Sequence, residues 1–265
     1  MEREAELQKD HIKKIEAANM KARELEAIRN VDSTIVVSST ELELLKPQLP
    51  EVSLEILPLL LNIPGTNVGF LDRKDFCFVG GFQHTPNIDA VLYFTSEIMP
   101  IIRKKLPGVK FHIIGSKPTP EILALNSEDI VVHGFIDDLN AVLGQMRLSV
   151  APLRYGAGVK GKVGTSMAAG LPSVISPIAA EGMSLTDGQH AIIASNPHNF
   201  ANSVIELYTD NILWEKISLQ GLNYSKEAWG PNASFLALHS ILYKLLPNLK
   251  NDKKYELALY SERFK

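Results

Sequence analysis

Between Ala151 and Pro177 the chain reads APLRYGAGVKGKVGTSMAAGLPSVISP. An apolar run ends at Arg154, Gly156 and Gly158 follow, and Lys160 and Lys162 stand at the entrance of a small-residue helix. Cations at a helix N-terminus oppose the helix dipole, at a cost of roughly 0.3–1 kcal/mol each. A sequence that accumulates this penalty calls for an anion, and an arginine fork beside lysine point charges suits a diphosphate. Solvated lysines on a surface helix are the plainer alternative. The residue order is not that of a Walker loop, which needs glycine, lysine and Ser/Thr in succession.

A second stretch, GGFQHTPN, repeats the theme with Gly80 and Gly81 after an apolar run and a helix start near Pro86. Glycines there let a ligand approach the backbone, and the helix N-terminus favours an anion; an ordinary strand-to-helix turn accounts for the same residues. His84, inside this glycine loop, is the one histidine kept as a site candidate. His112 falls within an apolar run as filler, and no His, Cys, Asp or Glu set has metal-ligand spacing, so no metal is expected. In PIAAEGM, Glu181 and Gly182 follow another apolar run. Glu181 could accept sugar or ribose hydroxyls, or could simply start a helix.

The elements that hold these loops have a regular rhythm. The runs DFCFVGGF, VKFHIIGS, DIVVHGFI, LSVAPL, PSVISP and AIIAS have strand length and are apolar at successive positions, as strands covered on both faces are. Helical patterns fall between them at about residues 87–105, 119–126, 138–146, 160–170 and 180–187. The expectation is an α/β fold, a Rossmann-like doubly wound parallel sheet of about six strands over residues 73–196. Residues 197–265 read as C-terminal helices that pack on the sheet and cross back toward the N-terminal part, with a break near EAWGPNAS. Residues 1–72 read as an incomplete N-terminal segment: a helix over 2–30 striped by Ile12, Ile15, Ala18, Ala22, Leu25 and Ile28, then a short strand, a helical turn and an extended piece. In open sheets ligands bind beyond the carboxyl ends of the strands, where the glycine and basic loops fall.

Composition narrows the classes. The chain of 265 residues carries a formal net charge of −3, which gives no global field for nucleic acid. Its single cysteine, Cys77, excludes an internal disulfide framework and sits in an apolar run as buried filler. The start MEREAELQKD has no apolar signal region, and LEILPLLLNIP is too short to span a bilayer. A cytoplasmic location is expected, with peripheral contact at the inner face of a membrane left open. No nucleophile elbow or basic–aromatic interleaving appears, so hydrolase triads and nucleic-acid binding rank low.

Taken in series, FCFVGGFQHTPNIDAVLYF, RYGAGVKGKVGTSMAAGLPSVIS and AAEGM resemble family-4 glycosyltransferases with the GT-B fold, over about residues 30–245. The resemblance implies two facing Rossmann-like domains, the C-terminal one holding a nucleoside-diphosphate sugar. It further implies transfer to a glycan or lipid-linked acceptor with retention of configuration, no obligatory metal, and a role in cell-surface polysaccharide synthesis. Most of the acceptor-side domain is expected to be missing from this chain, supplied by a preceding domain or a partner chain. By position, Gly80, Gly81, Phe82 and His84 would line the diphosphate, Lys160 and Arg154 would stabilise the departing group, and Lys162 would assist. Gly156, Gly158 and Val159 would face the sugar, the loop at Phe135 and Ile136 the base, and Glu181 and Gly182 the hydroxyls. Two glutamates usual in the family are replaced by Ala157 and Thr165, and Gly81 stands where an arginine often does. These departures keep two other readings open: a non-catalytic GT-B-derived binding or interaction module, or a sugar-nucleotide epimerase.

Overall fold

The computed structural model describes residues 6, 7 and 10–246 of the chain; the first part of the expected N-terminal helix and residues 247–265 lie outside them. The core is a parallel six-stranded sheet built from β3 (Lys74–Val79), β4 (Phe111–Ile114), β5 (Ile130–Gly134), β6 (Met146–Ala151), β7 (Ser173–Ile175) and β8 (Ile192–Ile193). Its spatial order is β5-β4-β3-β6-β7-β8. Successive residues of β3 feed opposite faces: Phe76 and Phe78 join the large cluster with Phe94, Phe111 and Phe200, whereas Cys77 joins Ile114, Leu143 and Met146. Burial on both faces is why these strands read as unbroken apolar runs. It also pushes the Cys77 thiol up to about 12, as befits filler.

The chain order reverses between β3 and β6, so the crevice beyond their carboxyl ends is the switch point of the sheet. That is where Gly80 and the stretch from Arg154 to Lys162 lie.

The connecting helices are α3 (Thr85–Tyr93), α4 (Met99–Lys105), α5 (Pro120–Leu123), α6 (Leu139–Leu143), α7 (Gly161–Ala168) and α8 (Pro177–Ala180). The helix expected over 87–105 is interrupted by a π turn, Phe94–Ile98. Pro100, which has no N–H to continue the ladder, begins the next helix. The helix expected at 180–187 instead ends at Ala180, because Gly182 and Ser184 both take positive φ, at 76° and 51°. Three terminal helices follow: α9 (Pro197–Thr209), α10 (Asn211–Trp229) and α11 (Pro231–Leu245).

The N-terminal unit comprises α1 (His11–Arg29), β1 (Thr34–Val36), α2 (Ser39–Leu45) and β2 (Leu54–Ile56). β1 and β2 pair in parallel as a two-stranded sheet. The apolar stripe foreseen on α1 is covered only near its end, where Ile28 and Leu25 meet Leu49, Val52 and Leu54; Ile12 and Ile15 are exposed.

Residues 57–69 form an extended strap along the main domain. Leu61 N donates to Trp229 O at 2.9 Å and Gly65 N to Ala168 O at 3.0 Å. Gly164 and Gly170 make the groove: a Cβ on the first would fall 2.7 Å from Leu61, and on the second 2.5 Å from Thr66. The strap ends at Arg73, which is fully buried and donates to the carbonyls of Val68, Leu143 and Met146 and to Thr66 Oγ1. Helix α11 returns to the N-terminal unit, where Lys244 pairs with Glu55 and Ser234 Oγ donates to Leu59 O.

Candidate nucleotide-sugar site

The first wall is the loop after β3. Gly80 N donates to Ile114 O at 2.9 Å and Phe82 N to Ser116 O at 3.0 Å, tying the loop to the end of β4. The approach is so close that a Cβ on Gly115 would fall 2.0 Å from Gly80 O. Asn87, buried in the first turn of α3, donates from Nδ2 to Gly81 O at 2.7 Å and accepts from Lys162 Nζ at Oδ1. Gly80 is glycine for a local reason: a Cβ there would lie 2.8 Å from both Lys162 Nζ and Asn87 Nδ2.

The second wall is the loop from β6 into α7. Gly156 and Gly158 take φ of 134° and 70°, the left-handed region that side chains disfavour. The turn brings Lys160 to the N-cap of α7 and carries Lys162 across to α3. Lys160 is buried and donates from Nζ to Gly158 O at 2.5 Å. Lys162 holds its ammonium 4.4 Å from the centre of the Phe78 ring. No carboxylate among the described residues forms an ion pair with it. Desolvation and then the nearby Lys160 push it down to about 7. A buried ammonium flanked by an amide, a ring and a second lysine favours an anion beside it.

The other candidates sit as follows. Arg154 is bound in a fork to Asp89 on α3, with Nε to Oδ2 at 2.9 Å, and lies over the Tyr93 ring; Asp89 raises its already high pKa. To reach a phosphate it would have to leave that carboxylate. Phe82 is 3% exposed and packs toward Phe78, so its side chain is core and only its backbone belongs to the loop. His84 is exposed at the N-cap of α3. Phe135 is 71% exposed beyond β5, while Ile136 packs on the smaller apolar cluster. Thr165 and Glu181 are half-buried. Val159 and Gly182 face one another across the two loops, a Cβ on Gly182 falling 3.6 Å from Val159 Cγ2.

Three residues beside these loops escaped the sequence reading. Asn87 carried a usable signal, because a Pro-Asn pair opens the helix after the double glycine. Ser38 and Glu41 carried none: they come from the N-terminal unit yet lie against Gly182 and Gly158.

The model of the glycosyl transferases group 1 family matches residues 73–210, just over half of the chain. The chain belongs to that family. The match covers the whole of the six-stranded sheet and ends within one residue of α9. Glycosyltransferases are also among the similar solved structures. The crystal structure of TarM superposes with a TM-score of 0.71 at 18% identity, covering 84% of this chain and 45% of TarM. The pneumococcal O-GlcNAc transferase GtfA, solved with UDP and GlcNAc, gives 0.67 at 16% identity, covering 87% of this chain and 47% of that one. At these identities the likeness establishes the GT-B-type α/β fold. A curated relative, an uncharacterised 44.6 kDa protein in the cps region of Klebsiella pneumoniae, is 23% identical over 178 residues, 63% of this chain and 46% of its own. The chain thus spans about half the length of these three relatives.

Among the described residues no group of three or more His, Cys, Asp or Glu could hold a metal ion, and no helix is long and apolar enough to cross a membrane.

Proposed function

We propose that this chain is the donor-binding half of a glycosyltransferase that holds a nucleoside-diphosphate sugar at the β3–β6 switch point. The sugar would pass to a glycan or lipid-linked acceptor in cell-surface polysaccharide synthesis, with retention of configuration and without a metal. The observation that carries the reading is Lys162: a desolvated lysine, pushed down to about 7, beside a glycine loop at a strand end. Desolvation makes each charge contact worth more than it would be in water. Lys162 and Lys160 would neutralise the diphosphate, helped by the helix-end amides of α3 and α7, and would stabilise it as it departs.

The base would lie toward Phe135 and Ile136 and the sugar along residues 156–160, with Thr165, Glu181 and Gly182 around it. The relatives suggest UDP as the first nucleotide to test: GtfA was solved with UDP and GlcNAc, and a TarM variant from S. aureus with fondaparinux, α-GlcNAc-glycerol and UDP. Acceptor recognition would fall to a domain or partner chain facing this one; a GtfA/B complex is among the similar structures.

Titration calorimetry with UDP, GDP and dTDP tests the reading. One of them should bind, and Lys162→Ala should weaken it at least tenfold; binding of none would sink the proposal. A non-catalytic module is the second reading, favoured by Thr165 and by the engagement of Arg154 with Asp89. Nucleotide binding without release of free sugar or transfer to any acceptor by the complete assembly would select it.

A further inference from the structure

The geometry points to Glu41, on the N-terminal unit, as a residue of the donor-sugar site, its carboxylate accepting hydrogen bonds from the hydroxyls of a neutral sugar. The inference rests on the proposal that the switch-point loops hold a nucleoside-diphosphate sugar, and it names the class of that sugar.

Helix α2 opens with a variant of the capping box, in which the glutamate reaches the residue before the N-cap. Ser38 Oγ accepts from Glu41 N at 3.2 Å, and Glu41 Oε2 accepts from Val37 N at 3.1 Å. The reciprocal pair fixes the glutamate side chain and uses one of its oxygens. The other oxygen, Oε1, lies 3.4 Å from the position a Cβ would take on Gly158. Gly158 holds a φ of 70° and has no Cβ to fill the space beside the carboxylate. At the same helix start, Ser38 Oγ lies 3.3 Å from a Cβ built on Gly182. The beginning of α2 therefore roofs both loops assigned to the sugar, 156–160 and 181–182.

The chemistry of this roof differs from that of the floor. Lys160 and Lys162 at the diphosphate end are cationic, and Lys160 Nζ is directed back to Gly158 O. Ala157, exposed in the same loop, offers no polar side-chain atom. A carboxylate held by a backbone amide accepts hydroxyl hydrogen bonds more strongly than a neutral acceptor does. The same charge repels a carboxylate on the ligand, so a neutral hexose or N-acetylhexosamine fits and a hexuronic acid does not.

The test uses the full chain, the nucleoside diphosphate it binds among UDP, GDP and dTDP, and the glucose conjugate of that nucleotide. Glu41→Ala should leave affinity for the bare diphosphate within twofold and weaken the glucose conjugate at least tenfold, as expected on losing a hydrogen bond to a charged group. Glu41→Gln, which keeps the shape and the cap, should weaken it less and should narrow the preference for UDP-glucose over UDP-glucuronate where UDP is the nucleotide. Glu43→Gly, at an exposed position in α2, reports mere fraying of the helix, so it should not reproduce the selective loss. Equal effects of Glu41→Ala on diphosphate and conjugate, or none on either, overturn the inference while the donor reading stands. Failure of the wild-type chain to bind any of the nucleotides overturns both.

Discussion

Lys162 makes the donor reading quantitative. Its ammonium sits between Asn87 Oδ1 and the Phe78 ring, and burial lowers its pKa from 10.5 to about 7. A bound diphosphate would restore the charged form, so binding above pH 7 must draw a proton from solution. The sign follows: the free protein loses its binding-competent ammonium as pH rises, and affinity falls. With the free pKa about 7 and the bound pKa near its ordinary value, the protonated fraction drops from about one half at pH 7 to about 1% at pH 9. Affinity should then weaken about 50-fold across that interval. Calorimetry of the wild type, referred at each pH to Lys162→Ala, cancels titration of the nucleotide itself. At pH 8, runs in two buffers of different ionisation enthalpy should show uptake of close to one proton. A flat ratio between pH 7 and 9, with no proton uptake, refutes the argument that this lysine is the neutralised anion receptor.

Other consequences can be measured on the same protein. Because Lys162 is depressed in the folded state, the unfolded chain binds more protons between pH 7 and 10.5, and stability rises with pH over that window. Lys162→Met should therefore stabilise the fold by a few kcal/mol at pH 7 in a denaturant melt, while abolishing nucleotide binding. Asn87→Asp should raise the Lys162 pKa and weaken UDP binding, since a fixed carboxylate would compete for the cation; tighter binding would contradict the assigned site. Gly115→Ala would drive a Cβ to 2.0 Å from Gly80 O; urea unfolding should report a loss of at least about 1–3 kcal/mol. Arg154→Ala should cost less than about 1 kcal/mol of stability, because its pair with Asp89 is partly exposed.

The strands were legible because parallel strands buried on both faces leave unbroken apolar runs, and the rule that ligands bind beyond the carboxyl ends of strands then pointed to the glycine and basic loops. What stayed hidden depended on backbone turns and distant contacts. The two lysines are separated by one residue, and their roles hinge on the left-handed turn at Gly158. That turn directs Lys160 back onto the loop and Lys162 toward Gly80. The helix foreseen at 180–187 failed because the apolar pattern does not report that Gly182 and Ser184 adopt positive φ. Glu41 was invisible for a third reason: its partner, Gly158, lies far along the chain and carries no side chain to complement it. The stripe on α1 illustrates the converse, since periodicity found the helix but not how little of it would be covered.

The strap over residues 57–69 changes where this protein can be cut. The rhythm of strands places a border at Arg73, yet excision there would sever the guanidinium from Val68 and Thr66 and empty the grooves at Gly164 and Gly170. A workable truncation begins upstream of the strap, so the smallest portable form of the six-stranded domain carries a dozen or so residues that belong to no strand or long helix of its own. Chimaeras that exchange what precedes this domain should splice ahead of Leu57. The strap then travels with the helix it lies against, and the graft inherits the seat of its own junction.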